Sequence, residues 1–387
     1  MKKNIKVVEL RGVEFVNKGA ELMLYAILEQ VKKKFPDTIF VMEHTHRAPR
    51  KKQLEHGIYT KTNIKKYRLN MEPILNLLPK GIRRKFFFIS ENEIDVVLDG
   101  SGFAFGDFWG SNKAGARFAN HVESWKKRGV KMVLLPQALG PFTDSALIRK
   151  MKNIVRNSNL IFARDPYSFN YIKALDDANL GNIDLKPDFT NLVYASKPDS
   201  FDNEAYNVAI IPNSKLIESK VMTREQYVEV LNILVDKVQE RNLNPFFLVH
   251  EGGGRDLLLV QEVNTLYQKN IKIIKEDNPI SVKGIIGSCR GVVTSRFHGL
   301  VSALSQATPC LCIGWSHKYE ALMEDYDYKE GLIKIEGLNE KIVSEKLGLI
   351  TDKDTSEEII DKLRNASEKQ KELSREMWRK VFNLMED

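Results

Sequence analysis

Short apolar and β-branched runs recur along this chain, separated by longer stretches whose apolar positions return every three or four residues. The first series is IKVVEL, TIFVMEH, DVVLDG, KMVLLPQ and NLIFARD, with a helical stretch over residues 21–35 and another ending near Trp125. Such runs suit buried strands, and strands alternating with helices form βαβ units around a parallel sheet. After a polar, turn-rich segment over 195–207 the series restarts with NVAIIPN, FFLVHE, IKIIKE, GVVTS and CLCIG, again with helical stretches between, one over 224–241. No residue-level repeat links the two halves. The pattern predicts an α/β protein of two doubly wound, Rossmann-like domains facing across a cleft, over 1–197 and 205–350. A charged amphipathic helix over 354–387, with Asp354, Thr355 and Ser356 as candidate caps, is expected to pack across both.

The length of 387 residues fits two cores better than one. With 43% hydrophobic and 28% charged residues, the composition is that of a folded globular protein. No apolar run is long enough to span a membrane and the basic start lacks a signal-peptide pattern, so a cytoplasmic location is expected. Cys289, Cys310 and Cys312 have no disulfide or zinc spacing and read as reduced core residues; no metal site is expected. The net charge of +8 suits an anionic partner. Outside two basic runs, 47–52 and 80–85, the positive residues are dispersed and no nucleic-acid-binding motif accompanies them, so nucleic acid is not an expected partner. The two runs read either as solvated loops or as a patch facing a membrane-bound anionic substrate.

In doubly wound sheets ligands bind beyond the carboxyl ends of the strands, so the chemistry is sought there. The first strand runs into RGVEFVNKGAEL, where Asn17 and Gly19 precede a helix start that offers free N–H groups without forming a GxGxxG dinucleotide pattern. After VVLD comes Gly100-Ser101-Gly102, with Asp99 able to orient a hydroxyl, act as a base or cap the loop, and Phe105, Asp107, Phe108 and Trp109 follow. Arg164 ends another strand, where its fork matches a carboxylate or phosphate, or pairs with a protein carboxylate; Asp165 and Pro166 open a helix. His250-Glu251-Gly252-Gly253-Gly254-Arg255 ends a third with a glycine run expected to be flexible. The strongest signal is GVVTSRFHGLVSALSQATPCLCIGW, in which Ser295 closes a strand and Arg296, Phe297, His298 and Gly299 open a helix. A guanidinium, an imidazole, free N–H groups and the positive end of a helix dipole then surround one point. His317 and Lys318 after the next strand add a second imidazole and a cation.

The ordered set GVEFVNKGAEL, DGSGF, LLPQALGPF, ARDPYS, PDFT, SRFHGLVSALSQATP and WSHKYEALM resembles the polysaccharide pyruvyl transferase family over roughly residues 12–326. The resemblance implies a GT-B-like fold and transfer of the three-carbon unit of phosphoenolpyruvate onto a hexose as a cyclic pyruvate ketal. By that similarity Arg296 and His298 bind phosphoenolpyruvate and Arg164 supplies a second arginine. His298, then His317, are the proton-transfer candidates, with Asp99 activating an acceptor hydroxyl. Ser295, Phe297, Gly299, Asn17, Gly19, Ser101 and Lys318 complete the expected substrate contacts. The implied partners are phosphoenolpyruvate as donor, with no separate cofactor, and a hexose-containing oligosaccharide, including a polyprenyl-diphosphate-linked form, with peripheral contact at the inner membrane surface. Ala20 departs from the acidic residue that often follows the first-loop glycine. A nucleotide-sugar glycosyltransferase and a non-catalytic sugar-binding protein are the competing readings.

Overall fold

The computed structural model describes residues 6–66, 69–176 and 181–386. The strands of the first half are β1 (Val7–Arg11), β2 (Ile39–Met42), β3 (Tyr59–Lys61), β4 (Lys65–Lys66), β5 (Leu69–Asn70), β6 (Phe88–Ile89), β7 (Val96–Asp99), β8 (Phe103–Phe105), β9 (Lys131–Leu139), β10 (Leu160–Ala163) and β11 (Ile183–Leu185). Those of the second are β12 (Val208–Ile211), β13 (Pro245–Val249), β14 (Lys272–Lys275), β15 (Gly291–Thr294), β16 (Cys310–Gly314) and β17 (Leu332–Lys334).

The first sheet runs β11-β10-β9-β7-β1-β2-β3-β6, with β8 added beside β9, and its ladders are parallel. The second runs β14-β13-β12-β15-β16-β17, also parallel. Strands β1, β7, β12, β13 and β15 are buried at every position, and β12 and β13 accordingly read as unbroken apolar runs. In the second sheet, side chains alternate between two cores: Val208 and Ile210 join one, Ala209 and Ile211 the other. Cys289, Cys310 and Cys312 are free and buried, and burial pushes the Cys289 thiol up to about 12.

Two compact units result. One comprises residues through Val16, Met23–Asp188 and Arg375 onward; the other comprises Asn17–Leu22 and Phe189–Ser374. The boundary anticipated at 197–205 therefore lies inside the second unit. Lys283, buried in the helix Pro279–Ser288, donates from Nζ to Thr190 O at 2.8 Å and Val193 O at 2.9 Å, and Gly284 lets the backbone at Ser196 and Lys197 lie against the same helix. The terminal helix is one piece, Lys353–Glu386, whose residues to Ser374 belong to the second unit and from Arg375 to the first. No helix among the described residues is long and apolar enough to cross a membrane.

Candidate functional site

In each sheet the strand order reverses once, and at such a point adjacent loops leave in opposite directions and open a crevice. In the second unit the reversal lies between β12 and β15. Ser295, just beyond β15, is held there from three sides. Asn213 Nδ2 and Tyr319 Oη each donate to its carbonyl at 2.9 Å, and Tyr227 Oη donates to its Oγ at 3.0 Å. At 2% exposure, with its carbonyl and Oγ both hydrogen-bonded, Ser295 frames the loop. Gly299 is likewise a packing residue, since a Cβ there would stand 2.7 Å from Thr294 Oγ1. Phe297 is buried beside Tyr319, with ring centres 5.8 Å apart.

Arg296 occupies the N-cap of the helix Phe297–Leu304 in extended geometry. Its Nε donates to Pro212 O at 3.2 Å and to Asp256 Oδ2 at 3.0 Å, and its Nη2 pairs with the same oxygen. Asp256, fully buried, accepts from Ser214 N at 2.9 Å through its other oxygen. The guanidinium is thus aimed and partly neutralised by a residue that sequence reasoning missed. The available signal was an acid in the first turn of the helix that follows the HEGGGR run. That run is pinned rather than loose: Glu251 Oε2 accepts from Gly253 N at 2.7 Å and Oε1 from Asp256 N at 3.2 Å.

His298 is half-buried in the first turn, and the start of the chain's first helix reaches it. Asn17 Oδ1 accepts from Gly19 N at 2.9 Å and caps the helix Lys18–Lys34, while Asn17 also bridges Glu251 through the backbone. A Cβ on Gly19 would stand 2.3 Å from His298 Nδ1, so only glycine fits against the imidazole. Two helix N-termini therefore meet at His298. Lys18, also buried, donates to Glu21 Oε2 at 2.9 Å and to Asp277 O. His250, 3% exposed at the end of β13, is pushed down to about 3 by burial, then by the charges of Arg296, His298 and Lys18, and so stays uncharged at neutral pH. The histidine-bearing ends belong to β13, β15 and β16, with β12 lying between the first two. Half-buried His317 begins the helix His317–Asp325, and Lys318 Nζ lies 5.1 to 5.6 Å from the ring centres of Trp315, Tyr319 and Phe297.

The first unit reverses between β1 and β7. Gly12 takes φ +81°, and a Cβ there would meet Ser101 Oγ at 2.2 Å, so this turn tolerates glycine alone. Asp99 is fully buried and accepts from Ser101 N at 3.0 Å and Gln137 Nε2 at 3.4 Å. Its Oδ2, Ser101 Oγ and Gln137 Oε1 are buried without hydrogen-bond partners among the described residues. Gln137 was not anticipated. Arg164 donates to Asp188 Oδ2 at 3.1 Å, the carboxylate pairing that the sequence left open, and Asp165 caps its helix by accepting from Ser168 N at 2.8 Å. Asn17, Gly19, Arg296 and His298 thus gather in the second unit, whereas Asp99, Ser101 and Arg164 belong to the first. Phe105 is core, while Phe108 and Trp109 are exposed and Asp107 binds Thr143.

A family model described as polysaccharide pyruvyl transferase matches residues 17–317. The chain belongs to the polysaccharide pyruvyl transferase family. The match takes in the loops after β7, β12 and β15 and every second-unit site residue from Asn17 to His317. No curated protein matches the sequence. Among solved structures, the chain is similar to a putative UDP-N-acetylglucosamine 2-epimerase from Listeria monocytogenes (12% identity, 99% of this chain and 97% of that one, TM-score 0.63). It is also similar to UDP-GlcNAc 2-epimerase from Methanocaldococcus jannaschii (13%, 91% and 94%, TM-score 0.58). A third is Anabaena HepE in complex with UDP and glucose (12%, 98% and 99%, TM-score 0.60). At these identities the likeness is one of fold: this pyruvyl transferase family member shares with GT-B glycosyltransferases and epimerases an architecture of two Rossmann-like units with parallel sheets.

Proposed function

We propose that this protein transfers the enolpyruvyl unit of phosphoenolpyruvate onto a hexose of a cell-surface polysaccharide, or of its lipid-linked precursor, and closes it as a pyruvate ketal. The observation that carries this reading is the convergence of two helix N-termini on His298, beside an arginine oriented by Asp256. Helix N-termini and a guanidinium favour an anion, and most of all the leaving phosphate as charge accumulates on it.

The chemistry balances without an oxidant or a resident cofactor. One acceptor hydroxyl adds to C2 of the donor as a proton is delivered to C3; the C2–O bond to phosphate breaks; a second hydroxyl closes the ring. Of the two hydroxyl protons lost, one equivalent ends on the new methyl group and the other on phosphate. His298 is the first candidate for moving a proton and His317 the second, a contribution of typically about 100- to 10,000-fold. Arg296 holds donor charge. Arg164, as a second donor arginine, would have to share or exchange Asp188. Asp99, with its unmatched Oδ2, is assigned to an acceptor hydroxyl. The proposed setting is the cytoplasm, at the membrane when the acceptor is lipid-linked.

The test is release of phosphate from phosphoenolpyruvate that depends on a hexose oligosaccharide acceptor, with a thermal shift by donor alone. A ligand bound only by the native state at 100 times its Kd adds about 2.7 kcal/mol. HepE was solved with UDP and glucose; stabilisation by UDP-sugars and not by phosphoenolpyruvate would replace this reading with a glycosyltransferase. Oligosaccharide binding without turnover of either donor would leave a sugar-binding protein.

A further inference from the structure

The two basic runs at 47–52 and 80–85 have no role in the proposed reaction, and the fold joins them. Arg50 Nη2 donates to Phe86 O at 2.8 Å, and the Arg50 guanidinium carbon lies 4.3 Å from the Phe88 ring centre. The segment carrying the second run consists of two short helices, Glu72–Leu77 and Lys80–Lys85, with an inverted burial pattern. The first buries no residue, and the second buries only Arg83. Arg83 turns inward to donate to Leu78 O at 2.9 Å and to Glu93 Oε1 at 2.7 Å. The large apolar side chains turn outward instead: Leu77 is 85% exposed, Phe86 61%, Ile74 58%, Ile82 42% and Phe87 41%.

A soluble helix ordinarily hides its apolar face, and a group of large apolar side chains left outside marks an interaction surface. Charge selects the partner. Residues 72–88 contain four basic residues and one acidic, Glu72; Arg83 and Arg84 pair with Glu93, while Lys80, which reaches Glu93 only at 3.4 Å, and Lys85, with Lys51 and Lys52 beside Arg50, are exposed. Phenylalanine, leucine and isoleucine interleaved with lysine and arginine match the boundary of an anionic bilayer, where apolar side chains enter beneath the headgroups and the cations meet the phosphates.

We propose that residues 72–88, with the 47–52 run beside them, dock this protein on the surface of an anionic lipid bilayer. The inference does not depend on the reaction proposed above, and its test requires no turnover. The full chain is sedimented with vesicles of phosphatidylcholine, with and without phosphatidylglycerol. Binding is expected to the phosphatidylglycerol-containing vesicles, weakening as salt rises. Replacing Leu77 and Phe86 together by Asp removes two inserting side chains at about tenfold each, so affinity falls roughly 100-fold. Replacing Lys80 and Lys85 by Glu removes roughly fivefold or more per residue and abolishes the preference for phosphatidylglycerol. All four positions are exposed, and the one pair lost, Lys80 with Glu93 at 3.4 Å, is a surface pair worth at most about 1 kcal/mol, so melting temperatures stay close to the parent value and a paired melt excludes misfolding as the cause. Equal sedimentation without vesicles, or full binding by the Leu77→Asp, Phe86→Asp protein, overturns the proposal. Conversion of a dimer to a monomer by that same pair, with no vesicle binding by the parent, reassigns the surface to a second copy of the chain.

Discussion

A methyl group at position 19 would stand 2.3 Å from His298 Nδ1 and 2.7 Å from Cγ, so Gly19→Ala has to displace the root of the ring. Turnover should collapse in that variant, while the gain in helix propensity limits the loss of stability. His298→Ala should retain a near-parent melting temperature, because the side chain is only half-buried, yet lose about 100-fold or more in turnover. Normal turnover in a folded His298→Ala protein would remove it from the mechanism. Arg296→Lys keeps a charge but cannot make the paired contacts to Asp256 and Pro212, so donor affinity should fall about tenfold or more. His250 gives a pH signature. Its native pKa, about 3, lies below the 6.5 of the unfolded chain, so between these values the unfolded state binds the extra proton and stability rises with pH. The contribution is complete above about 6.5 and is lost as pH falls towards 3, with a slope of up to about 1.4 kcal/mol per pH unit. Denaturant titrations across this window should flatten for His250→Gln; an unchanged slope would show that another group carries it.

At the scale of elements, long apolar runs announced themselves and very short strands did not. VVLD and VAII are buried on both faces, and nothing but a parallel sheet interior suits such runs flanked by helices. Strands β3, β6, β8, β11 and β17 have three residues or fewer, too short for any period to register, and exist because a neighbouring strand offers its free edge. The chain also carries charge where a buried strand should not. Glu9 and Arg11 in β1 pair with each other at 2.6 Å, and Lys61 reaches Glu9 at 3.0 Å and Glu91 at 2.5 Å. Lys61→Met leaves Glu9 to Arg11 and Glu91 to Trp125 and Arg128, so it should cost about 1–3 kcal/mol, the loss of charged hydrogen bonds, visible as a lowered denaturant midpoint. A loss below about 1 kcal/mol would mean that water or a neighbour compensates Glu9 and Glu91.

For the whole molecule, the decisive feature is that neither unit is a continuous stretch. Residues 17–22 of the first helix belong with the second unit, and residues from Arg375 belong with the first. Met377, Trp378, Val381 and Met385 are at most 1% exposed, and Lys186 binds Glu376 at 2.7 Å while Lys380 binds Asp184 at 2.6 Å. Truncation after Ser374 should therefore destabilise the first unit, so that one of two calorimetric transitions shifts down by many degrees and the other shifts less. An unchanged thermogram would show that the end of the helix is dispensable.

The sequence by itself determined the repeated strand–helix order, the family, the helix cap at Asp165, and the helix start that holds Arg296 and His298. These are local matters: period, capping chemistry and strand-end position are written within a few residues of each other. Tertiary structure alone decided that Asn17 and Gly19 stand against His298, that Asp256 orients Arg296, that Asp188 pairs with Arg164, and that Ser295 frames its loop. Each joins residues far apart in the chain through the order of strands in a sheet or the packing of one helix start on another. No periodicity encodes which strand lies beside which, because that choice rests on the summed burial of whole faces rather than on any residue's neighbours in sequence.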